Sequence, residues 1–180
     1  MLNDYLIYAC KIGRTEDIKL FLSKGADVHI FEDHPLELAC INGHTEVVKL
    51  LLNAGANVHA RDDYALRLAS RFGDTEIVKL LLNAGADMNA YDDYALIWAS
   101  YYGHTEVVKL LLNTGADARA YYDDALKGAT YMGHREIMNL LKDAGSEFED
   151  SIGVFCNQTL KESAKNALKW TKIEYKGKKL

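Results

Sequence analysis

Six histidines, three cysteines and a series of paired acids are the residues in this 180-residue chain whose types could do chemistry. Imidazole, thiolate and carboxylate bind zinc and other divalent ions, and the same groups serve as nucleophiles and general acids or bases. Their spacing argues against a shared site. His44, His104 and His134 recur at multiples of 30 residues, as do His29 and His59, while His34 stands alone. Side chains so placed belong to separate structural units and do not converge on one ion; they are expected to bond the backbone of neighbouring loops. The pairs Glu32-Asp33, Asp62-Asp63, Asp92-Asp93 and Asp123-Asp124 follow a similar step. Each is expected to cap its own helix in preference to joining a magnesium site.

Cys10, Cys40 and Cys156 include no Cys-x-x-Cys pair. Cys10 and Cys40 hold one place in adjacent units, which packed helices keep roughly 8–10 Å apart, beyond the ~7 Å Cα reach of a disulfide. They read as small buried apolar residues. The sequence has no Gly-x-Ser-x-Gly, phosphate loop, His-Glu-x-x-His or Rossmann glycine pattern. Neither an enzyme nor a cofactor is expected.

The elements that position these residues are repeats. Gly13, Gly43, Gly73, Gly103 and Gly133 are each 30 residues apart, and so are Gly25, Gly55, Gly85, Gly115 and Gly145. Leu6, Leu36, Leu66, Leu96 and Leu126 keep the same step, as do Ala9, Ala39, Ala69, Ala99 and Ala129. The copies run 1–30, 31–60, 61–90, 91–120 and 121–150, and each reads as two short helices. In the third copy the first helix is predicted from about Tyr64 to Phe72, with Leu66, Leu68 and Ala69 in the core. Gly73 breaks it. The second runs from about Thr75 to Asn83 with Ile77, Val78, Leu81 and Leu82 as its apolar stripe. Glu46 with Lys49, Glu76 with Lys79 and Glu106 with Lys109 read as solvated helix support.

The segment Gly-His-Thr-Glu-Val-Val-Lys-Leu-Leu-Leu-Asn-Ala-Gly-Ala-Asn-Val at 43–58, repeated with small changes at 73–88 and 103–118, is similar to the second half of an ankyrin repeat. The resemblance covers residues 1 to about 150 and implies an all-α solenoid of stacked helix-turn-helix units with short hairpin loops. The first half departs from the family. The usual unit has roughly 33 residues and a Thr-Pro-Leu-His-x-Ala start, whereas residues 64–69 here read Tyr-Ala-Leu-Arg-Leu-Ala. The histidine position holds Glu37, Arg67, Ile97 and Lys127. Three residues are missing between Ala60 and Tyr64, so a clipped hairpin is expected, with Asp63 capping the helix that follows. The compact Asp-Asp-Tyr-Ala-Leu form resembles the ankyrin families of giant DNA viruses.

The resemblance implies a protein partner, met at the hairpin tips and the exposed ends of the first helices on a concave face. By motif position these are Phe31, Arg61, Tyr91 and Tyr121 at the tips. At the helix ends they are Ile41-Asn42, Arg71-Phe72, Tyr101-Tyr102 and Tyr131-Met132. Eight of the eleven tyrosines lie between Tyr64 and Tyr131, and Tyr, Phe and Arg supply much of the binding energy at protein interfaces. Tyr64 and Tyr94, at helix starts, are expected to pack between repeats instead.

Residues 151–180 carry seven Lys and two Glu, hence +5, which leaves −10 for residues 1–150 against −5 overall. The paired acids should form a ridge that disfavours nucleic acid and suits a basic protein surface. Thr159 to about Tyr175 reads as a helix, either a C-terminal cap anchored by Trp170 or a basic arm contacting membrane, nucleic acid or a second partner. No apolar run approaches the ~18 residues of a membrane span, and Met1-Leu2-Asn3-Asp4 lacks the basic start of a signal peptide. An intracellular, cytoplasmic monomer is expected (in the host cytoplasm if virus-encoded). Three functions stay open: a recognition module acting alone, an adaptor whose basic tail docks a larger assembly such as a ubiquitin ligase, and a structural component without a discrete partner.

Overall fold

The computed structural model describes residues 1–147. Among these lie ten α-helices: α1 (Leu2–Ile12), α2 (Thr15–Ser23), α3 (Ile30–Ile41), α4 (Thr45–Asn53), α5 (Ala60–Phe72), α6 (Thr75–Asn83), α7 (Ala90–Tyr102), α8 (Thr105–Thr114), α9 (Ala120–Met132) and α10 (Arg135–Asp143). They form five pairs. Each odd-numbered helix packs on the odd-numbered helix of the next repeat and on its own even-numbered companion, and the even-numbered helices form a second row. The core fills the space between the rows. Leu6, Leu36, Leu66, Leu96 and Leu126 are almost fully buried, as are Leu51, Leu81, Leu111 and Leu141. Each such side chain contributes about 1.5–3 kcal/mol by leaving water. At the place of the half-buried Leu22, Leu52, Leu82 and Leu112, the fifth repeat exposes Lys142, the polar outer face a terminal unit needs.

The two helices of a repeat are joined at glycine. Gly73 (φ 81°, ψ 16°) is left-handed, and the N–H of Asp74 bonds back to the carbonyl of Ala69 at 3.1 Å. This closes the free carbonyl end of α5. The same bond joins His44 to Ala39, His104 to Ala99 and His134 to Ala129, each at 2.9 Å. A close approach adds a second demand for glycine: a Cβ at Gly13 would lie 2.9 Å from the His44 ring of the next repeat. The histidines at this position bond neighbouring loop backbone. His44 Nε2 meets the Lys11 carbonyl at 3.1 Å, His104 Nε2 that of Arg71 at 2.8 Å and His134 Nε2 that of Tyr101 at 3.1 Å.

The shortened loops contain no strand among the described residues. Each is a left-handed turn that runs without a break into the helix after it. Arg61, Asp62 and Asp63 have φ of 53°, 55° and 54°, and residues 31–33 and 91–93 match them. Right-handed helix starts only after Asp63, which agrees with the start expected at Tyr64 and places Pro35 in a first turn. The capping role expected of Asp63 is not what the structure shows. An N-cap needs extended backbone to reach the first N–H groups, and Asp63 is left-handed. Its carboxylate instead accepts the Asp87 N–H of the next loop at 2.9 Å and faces His59 Nδ1 at 3.1 Å. Asp33 does the same with Asn57 and His29, at 2.8 and 3.1 Å. Asn3 bonds the Asp27 N–H at 2.9 Å, so one ladder of side-chain acceptors joins the loop at the start of each repeat to the loop at its end. One acid in each of the first three pairs is therefore turned inward: Asp33, Asp63 and Asp93 are buried, Asp123 and Asp124 are both half-buried, and the expected acidic ridge keeps only Glu32, Asp62 and Asp92 exposed. Residues 151–180, read above as a helical cap or basic arm anchored by Trp170, lie outside the described residues, as does Cys156.

Asn89, at the end of the third repeat, replaces the histidine, and Asp93 Oδ1 of the fourth is buried without a hydrogen-bond partner. Asn89→His should supply the missing ring nitrogen and stabilise the chain by about 0.5–1.5 kcal/mol, read as a rise of a few degrees in thermal midpoint. Burial pushes the Asp93 carboxyl pKa above its ordinary 3.8. The ionised form therefore burdens the folded state at neutral pH, and that burden disappears as pH falls through the raised value towards 3.8. Asp93→Asn, which keeps an acceptor as Asn3 does, should raise the midpoint at pH 7 and lose its advantage in acid, measured by melting curves across pH.

Candidate partner-binding face

The turn residues occupy the first position of each left-handed turn. Phe31 is 60% exposed, Tyr91 55% and Tyr121 42%. Arg61 folds back on the preceding repeat, where Nη1 meets both oxygens of the buried Glu37 at 3.0 Å. One repeat on, Tyr91 covers Arg67, whose guanidinium sits 4.5 Å from the ring centroid. Arg67 is buried and donates to the carbonyls of Arg61 and Asp62 at 2.8 and 3.1 Å, bracing the turn from inside. Burial pushes its pKa down, against the opposing pull of Tyr64, Tyr91 and Asp62. Tyr64 lies beneath both guanidiniums, 5.0 Å from Arg61 and 4.9 Å from Arg67. This half-buried placement fits the packing role expected of it.

The helix ends carry a second row. Arg71 stands among three rings, 5.6 Å from Phe72, 5.5 Å from Trp98 and 5.3 Å from Tyr102. Trp98 edges on Tyr94 at 5.8 Å, and Tyr94 on Tyr91 at 5.0 Å. These contacts run along α7 and join the turn row to the helix-end row. Tyr101 and Tyr102 meet edge to face at 5.2 Å. Phe72, Tyr102, Tyr131 and Met132 are exposed, while Tyr101 is half-buried and burial pushes its phenol pKa up. Phe31, Tyr131 and Met132 stand outside the ring cluster. Asn42 is engaged locally, its Nδ2 donating to the Leu38 carbonyl of its own helix at 2.8 Å.

Glu37, Arg67 and Trp98 are not site candidates on sequence grounds. The mixture of types at the family's histidine position is the readable signal for the first two. Trp98 gives none, because it occupies the place of the buried Leu68 and so reads as core. Among the described residues no group of three His, Cys, Asp or Glu is placed to hold a metal ion. The two described cysteines are buried thiols; burial pushes Cys10 up to about 12 and Cys40 higher still, so neither is a thiolate at neutral pH.

Tyr101 rests against Gly128 of α9, where an added Cβ would meet the Tyr101 Cβ at 3.5 Å, an ordinary contact. Gly128→Ala should therefore keep the benefit of removing glycine from a helix, about 0.5–1 kcal/mol, seen as a higher thermal midpoint. A lower midpoint would mean that the tyrosine already presses on α9.

Two family models match the chain: one described as ankyrin repeats in three copies over residues 66–151, the other as ankyrin repeats in many copies over residues 36–82. No curated protein matches it. Together the two matches span residues 36–151, more than half of the 180. That span starts within α3 and takes in the helix pairs that carry nearly all of the aromatic and arginine cluster, so the chain belongs to the ankyrin-repeat family, whose repeats are protein–protein interaction modules.

Proposed function

We propose that the chain recognises a partner protein across the face made by the left-handed turns and the ends of the first helices, without catalysis. The observation that carries this reading is the run Tyr91, Tyr94, Trp98, Arg71, Phe72 and Tyr102, linked ring to ring on one face of the third and fourth repeats. Large, stiff side chains with polar tips give much contact area for little lost rotamer entropy. Phe31, Arg61, Tyr121, Tyr131 and Met132 extend the same surface along the stack, which suits an extended partner on the concave side of a solenoid. Tyr101 supports Tyr102 from below. A monomer working inside the cell fits the free, buried cysteines. The net −10 of residues 1–150 argues against nucleic acid as the partner.

The adaptor reading draws on the charge contrast between that −10 and the +5 of residues 151–180. Removing residues 151–180 separates the two. An adaptor would keep its target and lose its assembly; a lone recognition module would keep everything it binds.

Affinity capture from the native cell with mass spectrometry identifies the partner, and calorimetry then measures it. Replacing Phe72, Tyr101 and Tyr102 together by alanine should weaken binding at least 100-fold, since interface anchors cost about 2 kcal/mol or more each. Circular dichroism should show unchanged helix content. Undiminished affinity in a folded triple variant would rule out this face.

A further inference from the structure

Arg71 has a buried donor that nothing in its surroundings satisfies. A guanidinium carries five N–H groups and no acceptor. Among the described residues the Arg71 guanidinium makes no hydrogen bond and no ion pair, although the residue's carbonyl meets His104, and its Nη1 is covered and unpaired. Phe72, Trp98 and Tyr102 strip water from it at 5.3–5.6 Å without offering an oxygen positioned to accept. Attraction to the rings is worth about 0.5–2 kcal/mol. An unsatisfied buried donor costs about 1–3 kcal/mol, and more when charged, so the rings alone leave a deficit.

The neighbouring charges point the same way. Arg61, Arg67 and Arg71 lie close enough together that all three pull on the Tyr64 phenol. Glu37 neutralises Arg61. Arg67 is held by two carbonyls, with Asp62 as the acid that acts on its charge. The nearest acids on either side of it in sequence, Asp63 and Asp74, do not pair with Arg71: Asp63 bonds the next loop, and Asp74 has its charge contact with His104. A chain of net charge −5 thus presents one unpaired guanidinium, Arg71, beside the exposed rings of Phe72 and Tyr102.

Resting on the binding face proposed above, we infer that Arg71 forms an acid-accepting subsite, taking an Asp or Glu carboxylate of the partner protein between Phe72 and Tyr102. A carboxylate matches the planar fork of a guanidinium and can take two N–H bonds at once. Apolar residues beside that acid then cover the two exposed rings. The partner segment is accordingly acidic and apolar at this point, opposite in sign to the partner that the acidic turns alone would select. Glu32, Asp62 and Asp92, exposed on the turns, favour a protein segment with one or two acids over a polyanion such as nucleic acid.

Trp98, in contact with Arg71, reports directly on the site once Trp170→Phe has left it as the single indole. The probe is a pool of phage-displayed random dodecapeptides selected on the full-length chain. The selected sequences should be enriched in Asp or Glu next to an aromatic or aliphatic residue, and their peptides should change Trp98 emission on binding. Arg71→Gln should weaken them 10- to 100-fold and Arg71→Lys nearly as much, because lysine keeps the charge and loses the fork. Arg71→Lys also covers the case in which glutamine disturbs the rings. Selected peptides that lack acids yet lose binding with Phe72→Ala would overturn the subsite and leave the face standing. A pool indifferent to both positions, or no enriched pool, would sink both. Arg71-dependent quenching by a dT12 oligonucleotide, or a dimer in sedimentation that Arg71→Gln abolishes, would reassign the site to nucleic acid or to a second copy.

Discussion

Left-handed backbone at successive L-residues costs about 1–2 kcal/mol per residue, and this chain adopts it at three neighbouring positions in each of the loops ending at Asp33, Asp63 and Asp93. Three residues fewer per repeat leave no room for a hairpin, so the chain must reverse within a single tight turn. What holds that turn is the ladder between successive loops. Asn3, Asp33 and Asp63 each accept the backbone N–H found 24 residues later, at 2.8–2.9 Å. The bond ties the strained turn at the start of a repeat to the loop that leaves it. Each loop is thereby fixed by its neighbour, and the stack becomes a condition for its own parts.

The proposed binding surface follows from this arrangement. Because the turn closes tightly, its first residue lies against the preceding repeat instead of projecting as a fingertip. Arg61 reaches Glu37, and Tyr91 reaches Arg67. Arg67 then closes the circuit by holding the carbonyls of residues 61 and 62. Side chains that read as recognition residues are also braces, and the surface they offer is stiffened by the contacts that stabilise the fold. Such preorganisation reduces the ordering cost of binding. The penalty is local: Ser70, Ser100 and Asp93 retain buried oxygens without partners.

Much of the frame was legible in the sequence because a repeat shows its own rules. The row Leu6 to Leu126 is buried at every step, and the glycine row ends every first helix. The histidines at 44, 104 and 134 could be assigned to loop backbone because their spacing denied them a common centre. The candidate face was legible in part. The exposure of Phe72, Tyr102, Tyr131 and Met132 follows from their place beside a helix-ending glycine. Asn42 follows the same rule and yet caps its own helix, since a short amide reaches the carbonyl four residues back.

Sequence alone determined the number and order of the helix pairs, the buried rows and the helix ends, since periodic apolar spacing and glycine each have one local physical consequence. Only the tertiary structure decided where the carboxylates and guanidiniums go. Asp63 was free to cap its own helix or bond the next loop, and the backbone angle at that residue chose the loop. Arg61 and Arg71, ten positions apart on one element, ended with opposite fates. Glu37 of the preceding repeat comes within 3.0 Å of the first, while Trp98 of the following repeat comes to the second. Charged side chains are long and their partners lie a repeat away, so their pairing is a property of the stack and has no signature within the single repeat.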